Sequence, residues 1–212
     1  MSADARGPLT VSDAVCVTGM HRSATSLAAM ALNALGVAFG DPDLMMEPGP
    51  DNTAGYWENH SIKELDDRLL ARLGGAWDTP PVLPPGWERS SDLDDLRALA
   101  VTVLDESFTD LPADTRWIGW KDPRCSLLLP FWRTVRPITT TILVVRDPAE
   151  VALSLHARNG IDAPQAAMLW LRYLLAAAGD DPTHLLVRHD RFFSDLPGVL
   201  SDIAAHLGLG EP

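Results

Sequence analysis

Gly19-Met20-His21-Arg22-Ser23-Ala24-Thr25-Ser26 (GMHRSATS) decides the fold through what stands on either side of it. Before it, Ala14–Thr18 (AVCVT) is a short apolar run, and after it Ser26–Leu35 (SLAAMALNAL) is apolar on every face until Gly36. The pattern predicts a buried strand, a tight turn and a buried helix. Such a turn aims backbone N–H groups and the positive end of a helix at an anion. Arg22 adds a cation there, and Ser23, Thr25 and Ser26 add hydroxyls. The spacing approaches the phosphate loop G-x-x-x-x-G-K-[ST], yet Ala24 stands at the second glycine and Thr25 where the lysine belongs. A kinase or ATPase is disfavoured on that ground.

Outward from this turn, Gly40–Gly55 is rich in Pro, Gly, Asp and Met without a sustained period, and long loops are expected over 40–58 and 74–90. Between them Ile62, Leu65, Leu69 and Leu73 recur at helical spacing from about Ser61. Ser91–Phe108 reads as a second amphipathic helix, and Trp117–Trp120 (WIGW) as a short strand running into Lys121-Asp122-Pro123-Arg124. Thr139–Val145 (TTTILVV) is β-branched and continuous, the pattern of a strand covered on both faces. Asp147 and Pro148 supply the N-cap and first residue of a helix reaching about Arg158. Ala163–Ala178 is expected as helix, His184–Val187 (HLLV) as a further buried strand and Pro197–Leu207 as a closing helix. Strands alternating with helices predict a three-layer α/β/α fold around a central parallel sheet, with ligands outside the carboxyl ends of the strands.

The 212 residues fit a single domain, 1–212, with residues 1–12 expected to be flexible. A chain 46% hydrophobic and 22% charged is globular in composition. Lys plus Arg number 17 against 29 Asp plus Glu, a formal charge of -12, which argues against nucleic acid as a partner. An anionic ligand must therefore be met by a few local cations. Cys16 and Cys125 lie in apolar runs and read as small buried hydrophobes. The start MSADARGPLT lacks the apolar segment of a signal peptide, and no stretch approaches the roughly 20 apolar residues of a membrane span. A soluble, cytoplasmic protein with no membrane partner is expected. No H-x-x-x-H, C-x-x-C or carboxylate cluster sits at a ligand spacing, so no bound metal is predicted.

A second cation, Arg146, ends the TTTILVV strand, and Ser154 follows eight residues later in the next helix. Arg-Asp-Pro is a serviceable helix start in its own right, but an arginine and a hydroxyl on the same rim as the Gly19 turn can also share a phosphate. Together, GMHRSATS and VVRDPAEVALSLHAR resemble the sulfotransferases that use 3'-phosphoadenosine 5'-phosphosulfate (PAPS). Their 5'-phosphosulfate loop reads like G-x-x-R-S-G-T-S, and their 3'-phosphate motif is an Arg followed eight residues later by a Ser. GYWENHSIKELDDRLL, GWKDPRCSLLLPFW and LLVRHDRFFSDLPGVLSDIAAHLGL are similar to the bacterial branch of that family, and the likeness covers most of the chain in the expected order.

The resemblance implies a fold of the P-loop nucleotide kinase type. It implies that Gly19, Arg22, Ser23, Ala24, Thr25 and Ser26 form the 5'-phosphosulfate loop, and that Arg146 and Ser154 hold the 3'-phosphate. It implies PAPS as donor without a metal, 3',5'-adenosine bisphosphate as product, and a small-molecule or carbohydrate hydroxyl as acceptor. Two departures stand out: Ala24 replaces the loop glycine, so that either the loop needs no positive φ there or cofactor binding is weaker, and the Arg-Lys-Gly type C-terminal loop of the animal cytosolic members is missing.

Transfer of a sulfuryl group needs a base for the acceptor proton and cations for the moving charge. Arg22 and Lys121 are the cation candidates, the alternative for Lys121-Asp122 being a surface ion pair at a helix start. Glu58, in Gly55-Tyr56-Trp57-Glu58-Asn59-His60, is the first candidate base because an acidic residue after this loop looks like the bacterial pattern. His21 follows, with Glu47 and His60 behind it. His189, at the end of the last strand, reads as structural. Trp57, Trp77 and Trp87 lie in or beside irregular segments and are candidates to line an acceptor pocket, whereas Trp117, Trp132 and Trp170 suit a core. The alternatives to a sulfotransferase are an ATP-dependent P-loop phosphotransferase and a non-catalytic nucleotide-binding protein.

Overall fold

β1 (Asp13–Gly19) forms where its apolar run can be covered on both faces, and Ala14 through Val17 are fully buried. The computed structural model describes residues 13–50, 52–180 and 183–210, so the expectation for residues 1–12 lies outside the described residues. β1 pairs in parallel with β2 (Trp117–Lys121) on one side and β3 (Thr140–Val145) on the other, and β4 (Leu185–Arg188) extends the sheet in the order β2-β1-β3-β4. In this register Val17 lies beside Lys121 and Gly19 beside Val144, so the ends of β1, β2 and β3 share one rim. β1 sits where the chain departs to opposite sides of the sheet, which is where ligands of open parallel sheets bind.

The period of two along β1 separates two cores. Ala14 and Cys16 face a cluster with α2 (His60–Arg72), α3 (Asp94–Ser107), α4 (Cys125–Val135), α5 (Pro148–Asn159) and α6 (Ala163–Asp180). Val15 and Val17 face α1 (Thr25–Ala34) and α8 (Leu196–His206), which follows the short α7 (Arg191–Ser194). The three-layer α/β/α arrangement is as expected, and Cys16 and Cys125 are free, buried thiols. Among the described residues, no helix is long and apolar enough to cross a membrane. Trp117 and Trp132 belong to the cores, with Trp170 partly buried at the edge of one.

One helix lies outside the expectations and one strand corrects them. The run after Arg124, for which no element is predicted, is a helix, α4, and its Leu127–Leu129, Phe131 and Trp132 are buried. Pro130 hides it from a sequence reading, since proline removes an interior hydrogen bond and ordinarily breaks a helix. The strand at His184–Val187 begins at Leu185 and lies at the sheet edge; Leu186 is 50% exposed, so only one face of it is covered. An apolar run of four shows no second layer missing.

Candidate active site

The GMHRSATS turn is built on a close approach. Gly19 has φ 139°, and a Cβ there would stand 2.5 Å from the Val144 carbonyl oxygen of β3. Its N–H donates to Ser126 Oγ (2.8 Å), and the same hydroxyl donates back to the Gly19 carbonyl (3.1 Å). Arg22 (φ 69°) and Ala24 (φ 66°, ψ 31°) are both left-handed, and Ala24 caps α1. The turn thus takes up the conformation for which glycine is favoured, and carries it with alanine. Ser23 Oγ is fully buried without a hydrogen-bond partner, as is His21 Nε2. Buried polar atoms are rarely left so, and Ser23 directly precedes the N-cap of α1, where an anion would accept from its hydroxyl.

The second motif braces the first. Arg146 donates to the Arg22 carbonyl (2.9 Å) and to Glu150 (2.8 Å), while Arg22 Nε donates to Ser154 Oγ (2.9 Å). Asp147 caps α5 as expected, accepting from the N–H groups of Ala149 and Glu150. Ser26 has another occupation: its hydroxyl donates to the Tyr56 carbonyl (2.9 Å) and accepts from Asn52 Nδ2 (3.2 Å), clasping residues 52–56 to the start of α1.

Glu58 and Lys121 meet. They are 7% and 3% exposed, and Lys121 Nζ lies 2.5 Å from Glu58 Oε1. The expected alternative, a surface pair of Lys121 with Asp122, is overturned: both are buried, and Asp122 pairs instead with Arg124 (3.0 Å), which also reaches Asp67 (2.6 Å). Burial, opposed by Arg124 and reinforced by Glu58, pushes the Asp122 carboxyl up to about 6. Below it Asp66, accepting from Trp132 Nε1 and Cys125 Sγ, is raised well above the carboxylate range by burial and by Asp122. Trp57, at φ 57°, turns the chain just before Glu58, and the Glu58 carbonyl accepts from Met46 N–H (2.8 Å).

His21, Arg22, Glu58, Lys121 and Arg146 line one open-sided cavity of about 210 Å³, joined by Arg158, which the sequence reading did not single out. Burial holds His21 well below the usual imidazole range, and the charges of Arg124, Arg158, Lys121 and Arg22 act in the same direction. Its ring packs on Trp77 (centroids 4.7 Å) and Tyr173 (5.7 Å), and Arg158 lies over the Trp77 ring at 5.6 Å. The signal for Arg158 was its place four residues after Ser154, on the same helix face. Glu47 and His60 are exposed and outside this cavity. Trp57 lines a separate apolar pocket with Phe39, Met45 and Met46, and Trp87 another with Leu73 and Leu93, so the three candidate tryptophans do not share one acceptor pocket. His189 is partly buried at the rim, its ring against Phe193. Among the described residues no His, Cys, Asp and Glu side chains group as metal ligands.

The parallel sheet, the left-handed turn into α1 and the strand-end arginine of β3 define a P-loop-like α/β fold of the sulfotransferase type. Solved structures of sulfotransferases carry it, among them the following two. The chain is similar to the sulfotransferase domain of the Synechococcus PCC 7002 olefin synthase, with 19% identity and a TM-score of 0.56 over 99% of this chain and 76% of that one. It is also similar to the sulfotransferase STF1 from Mycobacterium tuberculosis H37Rv, with 18% identity and a TM-score of 0.51 over 94% of this chain and 68% of that one. The likeness is one of fold. No family model and no curated protein sequence matches the chain.

Proposed function

We propose that the protein is a PAPS-dependent sulfotransferase acting on a hydroxyl of a small molecule or sugar. The observation that carries this is the convergence of Arg22, Lys121, Arg146 and Arg158 on one cavity at the strand ends of a chain whose net charge is -12. Against that background, four cations at one rim favour a ligand with several negative groups. The fit extends to the orphaned Ser23 Oγ and to the cavity volume, which suits a phosphosulfate with the rest of the nucleotide lying along the surface. Gly19 and Ala24 shape the loop, Arg22, Ser23 and Thr25 face the 5' end, and Arg146 with Ser154 takes the 3'-phosphate. Ser26 joins them once it releases the 52–56 segment. Two buried free thiols fit a reducing, cytoplasmic setting.

When bound, the donor supplies a sulfuryl group whose S–O bond to the phosphate breaks as the acceptor oxygen bonds to sulfur. Glu58 takes the acceptor's proton. Its carboxylate becomes neutral on doing so and loses its hold on Lys121, whose charge is then available to the leaving phosphate oxygen. Proton uptake and leaving-group stabilisation are coupled through one ion pair. His21 is the weaker base, since protonating it adds a positive charge among Arg22, Lys121, Arg124 and Arg158. Its neutral ring instead orients the acceptor.

Thermal shift and calorimetry with 3',5'-adenosine bisphosphate, against ATP with Mg²⁺, test the reading. The bisphosphate should stabilise the protein and ATP should not. Stabilisation by ATP and Mg²⁺ alone would make it a phosphotransferase.

A further inference from the structure

We infer that the acceptor is a hydroxy carboxylic acid, its carboxylate taken by Arg158 braced on the Trp77 ring. This rests on the sulfotransferase reading and narrows its acceptor. The argument begins with the cations of the cavity. In that reading Arg22 and Arg146 serve the two ends of the donor, and Lys121 is committed to Glu58. Arg158 has no donor group assigned to it. Roughly 15 Å of helix separates Pro148, next to Arg146, from Arg158, at about 1.5 Å per residue. It therefore stands beyond Ser154 and lines the same cavity as His21, whose ring packs on Trp77 behind it.

The support of Arg158 is rigid. Trp77 is anchored from α6: Tyr173 Oη donates to the Trp77 carbonyl (2.8 Å), and Arg172 donates to the carbonyls of Pro80 (2.7 Å) and Pro81 (2.6 Å). The guanidinium carbon lies over that ring, 5.6 Å from its centre, and Nε donates to Asn159 Oδ1 (2.6 Å). A planar guanidinium so held suits bidentate recognition of a carboxylate, for which lysine would be a poor substitute. Next to it, the buried and unpartnered His21 Nε2 offers a hydrogen bond to a second polar group on the same ligand. A ligand with a carboxylate for Arg158 and a hydroxyl that His21 holds toward Glu58 meets all three residues of the cavity.

Calorimetry on protein saturated with 3',5'-adenosine bisphosphate separates this from the parent reading. The probes are two matched pairs, 4-hydroxybenzoate with 4-hydroxybenzamide and 3-hydroxybutyrate with 3-hydroxybutyramide. In at least one pair the acid should bind about tenfold tighter than the amide, as a charge-assisted contact requires. Arg158→Gln should reduce that ratio to about two or less while leaving bisphosphate affinity within about threefold, and Arg158→Lys should keep part of the preference. Equal affinity for acid and amide in both pairs, absence of binding included, overturns the inference, as does a preference that survives in Arg158→Gln. A loss of bisphosphate affinity as large as the loss of acid preference would assign Arg158 to the donor and overturn it too. If the bisphosphate itself fails to bind, the parent reading falls. The same titrations on ligand-free protein then decide the acid site alone.

Discussion

Ala24→Gly should stabilise the protein, although glycine replaces alanine at the start of a helix. Ala24 sits at φ 66° and ψ 31°, where an L-residue pays about 1–2 kcal/mol from the approach of its Cβ to the following carbonyl. Glycine removes that cost and returns about 0.4–1 kcal/mol of it through the greater freedom of the unfolded chain. The balance is a gain of about 0.5–1 kcal/mol. In a chain of 212 residues this raises the melting temperature by about 1–4 °C. Ala167→Gly is the control: Ala167 is exposed inside α6, and glycine there costs about 1 kcal/mol. One chemical change should thus give opposite signs at two positions, read by calorimetric melts in the same buffer. If Ala24→Gly lowers the melting temperature as Ala167→Gly does, the turn is not left-handed at Ala24 and its construction as an anion cradle is wrong.

Arg146→Ala should weaken 3',5'-adenosine bisphosphate by about 10- to 150-fold and 5'-AMP little, whereas Ser154→Ala, which also releases Arg22, should weaken both; titration of each ligand checks it, and equal losses for Arg146→Ala would reduce that residue to a helix start. Glu58→Gln should lower kcat by about 10²- to 10⁴-fold while bisphosphate affinity changes little, and should cost about 1–3 kcal/mol in urea melts because buried Lys121 loses its counter-charge; near wild-type turnover would clear Glu58 of the proton transfer. His21 binds its proton less readily in the folded chain than in the unfolded one, so its contribution to stability is present at neutral pH and is lost as pH falls below about 6.5. Asp122 acts oppositely, favouring the folded state as pH falls through about 6. His21→Gln should therefore flatten the acid loss between about pH 6.5 and 5 in urea melts at stepped pH, and an unchanged slope would show that the imidazole is not held neutral.

The turn after β1 and the cap of α5 were legible because each is a local pattern of residue types, and Asp147-Pro148 in particular needs no distant partner. The pairing of Glu58 with Lys121, 63 residues apart, was not, since two separately plausible site residues give no sign that they neutralise one another. Arg158 was hidden for a related reason: its meaning comes from the Trp77 ring, which only the packing of α5 and α6 brings near. Pro130 concealed α4 because tertiary packing overrides the helix-breaking rule there, with Phe131 and Trp132 buried directly after it. The conformation of Ala24 was open until the backbone was seen, because the substitution of glycine is compatible with either a relaxed turn or a strained one.

The paired bonds between Gly19 and Ser126 divide the cavity into walls of unequal stiffness. Both backbone groups of Gly19 are tied to α4 through one hydroxyl, in a place where neither atom sees solvent. Residues 52–56 form another wall, joined to α1 where the Ser26 hydroxyl donates to the Tyr56 carbonyl and accepts from the Asn52 amide. A load applied inside the cavity is therefore carried by the β1 side and relieved on the other, where Gly55 and Trp57, both at positive φ, bracket Tyr56 and its bond to Ser26. Selectivity that depends on a fixed shape belongs to the first wall. Tolerance of ligands that differ in bulk belongs to the second, and substitutions that broaden the range of acceptors should accumulate between Asn52 and Trp57 before any are accepted around Gly19.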